Sequence, residues 1–345
     1  MARPKVAIVG SVDEARTFDP PVTDPAEARL ACERLGGELA AAGWDLVVYS
    51  AKSMFVEADI VHGYVASGKA TAKSIHVHAP IGKGSFDEYR ERPDLFDPKP
   101  DASADWEVTF YRSLTSCDGL IVIGGGRSTL IAGVIALSMR MPVLALAMFG
   151  GNARKVWERL ANGSELAADE DIAEMGKGWQ PDSAKLLVSS LDRQRTLREE
   201  RQRAEARRAQ QSVVVAAVML LASVAGLVIA WGSRPGTAVS IALLVIVPVL
   251  AAAGGALIRT SLDVGRDWTR AGVLGGAAGL ITGLLYVAPQ LIAAPDMLDV
   301  RQAEIVRRLL FFVLPIGFVA GLTFDAVYAK LRGTDVSQSA TLDKI

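Results

Sequence analysis

Hydrophobic and polar positions follow two different rules along this chain. Up to about residue 190, short apolar runs alternate with stretches of helical periodicity. Residues 6–9 form an apolar run ending at Gly10, and residues 25–42 carry Leu30, Leu35 and Leu39 on one stripe before Gly43. Further strands are expected at 46–49, 74–78, 120–123 and 142–148, with helices at 58–67, 106–116, 128–139 and 152–160. Apolar strands separated by helices predict a parallel sheet covered on both faces. Residues 82–104 are polar and proline-containing, long for a structureless connection, and are expected to form a lid or a local embellishment.

From residue 191 the pattern changes. Residues 191–211 hold seven arginines and neither glycine nor proline, and read as a charged helix, a solvated connector or a stretch that touches anionic headgroups. Four apolar runs follow. Residues 212–231, 235–258 and 271–294 contain no charged side chain, and 309–329 contains only Asp325, near its end. A bilayer core requires about 20 apolar residues per helix, so four transmembrane helices are expected. Glycines recur at four-residue spacing (Gly272 and Gly276; Gly275, Gly279 and Gly283; Gly317 and Gly321), which suits close helix packing within one bundle or self-association.

The resulting division is a domain at 1–190, a charged linker at 191–211, a four-helix region at 212–330 and a short cytoplasmic tail at 331–345. Composition sharpens the contrast. The 345 residues sum to a net charge of −1, but residues 1–190 carry −6 and residues 191–345 carry +5. Arginines before residue 212, with Arg259, Arg266 and Arg270, place both termini on the cytoplasmic side by the positive-inside rule. Arg301, Arg307 and Arg308 run against it, and the segment 295–308 is expected to be an interfacial helix. The amino terminus has no apolar stretch of the signal-peptide kind, and two cysteines, Cys32 and Cys117, exclude a disulfide framework.

The chemistry concentrates at strand ends. Gly124-Gly125-Gly126-Arg127-Ser128-Thr129 follows an apolar strand and opens a helix. Glycines let backbone N–H groups approach an anion, the helix N-terminus favours negative charge, and Arg127 offers a bidentate phosphate contact. Gly10-Ser11 ends the first strand, and Gly150-Gly151-Asn152 with Arg154 follows the last. Ligands of open α/β sheets lie beyond the carboxyl ends of the strands, so these residues are the candidate ligand contacts. Tyr64, Trp106 and Tyr111 are candidates for stacking a base or for core packing, and Lys83 for a lid cation. His76 and His78 share a strand face but lack a third ligand, so no metal site is expected.

The first-strand Gly10-Ser11, the helix carrying Gly36-Gly37 and ending at Gly43, and the Gly124 to Thr129 turn resemble the SLOG superfamily over about residues 4–165. That group includes the Lonely Guy phosphoribohydrolases, the Smf/DprA proteins and nucleotide-sensor domains of bacterial defence systems. The resemblance implies a Rossmann-like α/β domain followed here by an all-α transmembrane domain. The hydrolases carry Pro-Gly-Gly-x-Gly-Thr-x-x-Glu, and here Gly125 to Thr129 takes the loop, Ser128 replaces the third glycine and Ala132 stands at the glutamate position. Without that carboxylate the site is expected to bind rather than cleave, unless Glu88, Asp105 or Glu107 substitutes for it.

SLOG domains fused to transmembrane helices resemble the membrane effectors of nucleotide-signalling antiphage systems of the CBASS and Thoeris kind. This implies a cyclic oligonucleotide or ADP-ribose derivative made by a partner synthase, no other cofactor, no nucleic-acid polymer as partner, self-association, and action on the bacterial inner membrane. The alternative is a membrane-anchored nucleotide or nucleoside N-glycoside hydrolase.

Overall fold

A computed structural model describes residues 3–80, 86–101, 105–163, 165–232, 237–262, 267–293 and 307–324. Lys83, Asp325, the tail 331–345 and most of the segment 295–308 lie outside these residues. The chain divides into two compact units, Met1–Arg201 and Gln202–Ile345, so the division falls inside the charged segment 191–211.

The first unit is built on one six-stranded sheet. Its strands are β1 (Lys5–Ser11), β2 (Asp45–Val48), β3 (Ile75–Pro80), β4 (Phe96–Asp101), β5 (Gly119–Gly124) and β6 (Val143–Leu146). They lie in the order β4-β3-β2-β1-β5-β6, and every pairing is parallel. The helices between them are α1 (Pro25–Ala42), α2 (Val56–Ala66), α3 (Glu88–Glu91), α4 (Trp106–Leu114) and α5 (Arg127–Ser138), followed by α6 (Gly151–Ala161) and α7 (Asp169–Gly176). The central strands β2 and β5 and the strand β6 are buried at every position, as a sheet covered on both faces requires. After β4 the chain crosses the sheet through α4 to place β5 beside β1. The strand order therefore reverses direction between β1 and β5.

Local chemistry accounts for the elements. Asp24 caps α1, accepting the Glu27 N–H at 3.0 Å, with Pro25 at the first helical position. Gly43 closes the helix in the left-handed region at φ +81°. α1 and α2 pack backbone to backbone: a Cβ at Gly36 would lie 2.1 Å from the Ile60 carbonyl oxygen, and one at Gly63 would lie 1.9 Å from that of Glu33. The stretch 82–104 is not a structureless connection. Its described part contains α3 and the strand β4, hidden from sequence reading by Pro98 and Pro100. Two prolines at alternate positions put both missing donors on one side, which an edge strand tolerates and a central one does not.

The next helix, α8, runs Ser183–Gly232, so residues 191–211 lie inside one continuous helix. Its first turns belong to the first unit. Leu187, Val188 and Leu191 enter the core, and Asp192 accepts the Trp44 indole N–H at 2.8 Å. Gln194 accepts the Val143 N–H at 3.0 Å and donates to the Val143 carbonyl at 3.3 Å, satisfying the free edge of β6. Arg193 pairs with Asp171, and Arg201 with Glu165 at 3.1 Å.

The second unit contains the rest of α8 with α9 (Thr237–Leu262), α10 (Trp268–Ala293) and α11 (Arg307–Phe324). Four helices, α8 to α11, are long and apolar enough to cross a membrane. The glycine spacing is used within the chain. A Cβ at Gly279 of α10 would lie 2.5 Å from the Pro248 carbonyl oxygen, and one at Gly321 of α11 would lie 1.9 Å from that of Ala252. Both glycine rows thus seat on one small-residue face of α9, whose own Gly255 lies against the α11 backbone. Arg307 donates to the Ala230 carbonyl in the last turn of α8 at 2.9 Å, and its guanidinium lies 6.0 Å from the centre of the Trp231 ring. Arg307, one of the arginines that run against the expected orientation, therefore has a local role at a helix C-terminus.

Gly279→Leu should destabilise the helical unit by about 1–3 kcal/mol through overpacking. Gly276→Leu, whose Cβ would meet only Val249 at 3.5 Å, should be tolerated. Thermal melting of the two variants in detergent checks the contrast; equal effects would remove the seating role from Gly279.

Candidate functional site

The reversal of strand order between β1 and β5 opens a crevice at their carboxyl ends, the place where open α/β sheets bind ligands. The glycines there set how closely the chains approach. The Gly125 N–H donates to the Ser11 carbonyl at 2.8 Å, joining the two strand ends. Gly125 sits at φ +76°, and a Cβ would fall 2.0 Å from the Thr129 Oγ1. Gly151 lies against the Gly124 backbone, where a Cβ would come within 2.4 Å, and the Asn152 N–H donates to the Gly125 carbonyl at 2.9 Å.

A cavity of about 890 Å³ lies at these strand ends, within the range of small-molecule sites. Of the residues singled out from the sequence, Gly10, Ser11, Gly126, Arg127, Ser128 and Thr129 line it. Gly124, Gly125, Gly150, Gly151, Asn152 and Arg154 are not among its lining residues. The first five of these form the backbone-to-backbone support just described or flank it, and Arg154 faces Glu158 at 3.7 Å. Arg127 is exposed at the mouth, with Ser128 half-buried and Thr129 buried behind it. All three stand in the first turn of α5, where N–H groups and the helix dipole favour an anion.

The rest of the lining comes from elements that no motif marked. Arg16, beyond β1, and Lys52, beyond β2, add two cations. Tyr49, Phe55, Trp106 and Phe110 form an aromatic wall, with Tyr49 and Phe110 edge to face at 4.6 Å. Of the stacking candidates, Trp106 joins this wall. Tyr64 instead lies fully buried in the core, donating its hydroxyl to the Trp44 carbonyl at 2.7 Å, and Tyr111 packs edge to face on Phe110 at 4.9 Å outside the lining. His78 lines the cavity. His76 is buried between Asp45 and Asp97, 3.5 and 3.0 Å away, and the two histidines do not form a common site.

One carboxyl group stands among the described lining residues: Glu57, in the first turn of α2. It is only 4% exposed, and its Oε2 has no hydrogen-bond partner among the described residues. Burial pushes its carboxyl up to about 8, against which its own backbone N–H acts weakly. The acids considered as replacements for the family's glutamate lie elsewhere. Glu88 faces His62 at 3.2 Å, Asp105 caps α4 by accepting the Glu107 N–H at 2.9 Å, and Glu107 is exposed. Ala132, at the glutamate position itself, is fully buried in α5 and does not line the cavity. The available signal for Glu57 was an acid just past the carboxyl end of a strand adjacent to β1, a signal legible only once the strand order is known.

The sign of the Glu57 effect on stability follows from its raised value. The folded state holds the proton more tightly than the unfolded chain, so stability falls as pH rises from about 4.5 to about 8 and is level above that. Glu57→Gln removes this loss. Its melting midpoint should exceed that of the parent at pH 9, by a few kcal/mol in stability, and match it near pH 4.5. A pH series of thermal melts decides; a constant offset would place the effect elsewhere.

No family model and no curated protein matches the chain. Among solved structures it is similar to TM1055, a structural-genomics target, at 20% identity over 52% of this chain and 88% of that one, with a TM-score of 0.34. It is also similar to the molybdenum cofactor carrier protein of Chlamydomonas reinhardtii (20% identity, 55% of this chain and 99% of that one, TM-score 0.36). A third is the molybdenum cofactor binding protein of Rippkaea orientalis (16% identity, 50% and 94%, TM-score 0.33). The fold assignment rests on the chain's own strand order and parallel register: a Rossmann-like α/β unit followed by long apolar helices.

Proposed function

We propose that the chain is a membrane-anchored nucleotide sensor. The observation that carries this reading is the cavity at the strand reversal, lined by cations, a helix N-terminus and an aromatic wall, on a chain with four helices of membrane-spanning length. In this reading the phosphate lies at Arg127, Ser128 and Thr129, with Arg16 and Lys52 adding charge. The base lies against Tyr49, Phe110 and Trp106. The strand-end glycines Gly10, Gly124, Gly125, Gly150 and Gly151, with Asn152, hold the crevice open from behind.

The ligand is a cyclic oligonucleotide or an ADP-ribose derivative supplied by a partner synthase. Its binding favours a rearranged or self-associated state, to the extent that it binds that state more tightly. The apolar helices then permeabilise or depolarise the bacterial inner membrane, with both termini cytoplasmic as the arginine distribution supports. The rows of Gly275 and Gly279 and of Gly317 and Gly321 being occupied within one chain, association between copies uses other surfaces. Binding rather than turnover is favoured by Ala132 at the family's glutamate position.

Glu57 favours a second reading, the membrane-anchored N-glycoside hydrolase. A proton-bearing carboxyl group in the same cavity is the group that cleavage needs as acid for the departing base.

A thermal-shift series on the full chain in detergent, against AMP, NAD, ADP-ribose and cyclic di- and trinucleotides, with chromatography of each mixture, separates the readings. A sensor should gain about 2.7 kcal/mol at a ligand concentration of 100 Kd, with the ligand recovered intact. Arg127→Glu should abolish the gain. A base and a ribose phosphate among the products would establish the hydrolase instead, and a full gain in Arg127→Glu would remove the phosphate from this site.

A further inference from the structure

The buried carboxyl group of Glu57 has no part in the architecture that other residues do not supply. α2 is already fixed to α1 by the close approach at Gly36 and Gly63, and Oε2 makes no hydrogen bond among the described residues. A carboxyl group placed at 4% exposure with an unpartnered oxygen costs stability. It lines a cavity whose other charged side chains are cationic, yet none of the ion pairs found among the described residues includes it.

Glu57 shares the cavity lining with Tyr49, Phe55, Trp106 and Phe110 of the aromatic wall. Lys52 comes from the loop after β2, Arg16 from the loop after β1, His78 from β3 and Arg127 from α5. Glu57 is buried, while Arg16, Lys52 and Arg127 are exposed and well placed for an anion. A ligand with its phosphate at Arg127 and its ring system at the aromatic wall brings polar ring atoms toward Glu57.

We propose that Glu57 reads the non-phosphate part of the ligand as a neutral carboxylic acid, donating a hydrogen bond to an acceptor atom, a ring nitrogen or carbonyl oxygen, of a nucleotide. This rests on the nucleotide reading of the cavity and adds the contact that selects within that class. A neutral acid offers a donor beside an acceptor, and it places no negative charge next to an anionic ligand. An ionised carboxylate offers acceptors only, and would select a ring edge carrying two donors. The proton state of Glu57 therefore sets which face of a ring is accepted. Burial that holds its proton through neutral pH fits the first arrangement.

The test uses the full chain in detergent and isothermal titration with AMP and ADP-ribose at pH 6.5 and pH 9, for the parent, Glu57→Gln and Glu57→Met. Glutamine keeps a donor beside an acceptor; methionine keeps the volume without either. The expected result is parent affinity that falls by about tenfold between the two values, the loss expected one unit above the free group's own titration. Glu57→Gln should bind with near-parent affinity at pH 6.5 and lose none of it at pH 9, and Glu57→Met should bind at least tenfold more weakly at both. Parent affinity that rises with pH, or Glu57→Gln as weak as Glu57→Met, overturns the proposal. If Arg127→Ala weakens binding while Glu57→Met does not, the nucleotide site stands and Glu57 is no part of it. If neither probe binds the parent and Arg127→Ala changes nothing, the nucleotide reading and this proposal fall together.

Discussion

The ends of β1 and β5 meet with backbone against backbone, and the cavity depends on that contact. Gly10, Gly124 and Gly125 leave no Cβ between the strands, and Gly151 brings the start of α6 against the same turn. A side chain at any of them would collide with main-chain atoms or with Thr129, which cannot move without displacing the first turn of α5. That turn presents Arg127, Ser128 and Thr129. The glycines act at one remove from any ligand: they set the distance between two strands, and the distance sets where the helix N-terminus points.

Seen this way, the sequence marks the support more clearly than the contact surface. Glycine-rich strand ends are conspicuous as letters because a backbone approach admits no other residue. Six of the twelve residues they suggested line the cavity, five support it or flank the support, and Arg154 faces Glu158 instead. The parallel sheet and the four apolar helices were legible because each repeats a simple period over many residues. β4 was not, since Pro98 and Pro100 read as a loop until the strand is known to be at the edge. Arg16, Lys52, Tyr49 and Glu57 were not, since only the order of strands brings the segments after β1 and β2 to the same mouth. The small-residue spacing in α10 and α11 was legible as close packing; which partner it packs against, Ala252 and Pro248 of α9, required the structure.

The electrostatics of the cavity combine two different strategies. At Arg127 charge is kept in water, where it costs little and attracts anions from a distance. At Glu57 charge is suppressed, because a carboxylate in that position is almost excluded from solvent and its Oε2 has no hydrogen-bond partner among the described residues. In the proposed nucleotide reading, the charged residues recruit the ligand and the neutral acid discriminates. The same division separates the two functional readings, since a proton retained for recognition and a proton available for transfer to a leaving group begin from the same atom.

The pairing of Gln194 with both backbone groups of Val143 has a consequence for assembly. An uncovered sheet edge invites another chain to add a strand, the common route to uncontrolled polymerisation. Here one edge presents a strand with two prolines, and the other is occupied at Val143 by a side-chain amide from α8 that imitates a neighbouring strand. In the proposed membrane assembly, copies of this chain would thereby be discouraged from growing by sheet extension. Any ordered array they form must be built from side-chain surfaces, which can be released again, rather than from a ladder that cannot.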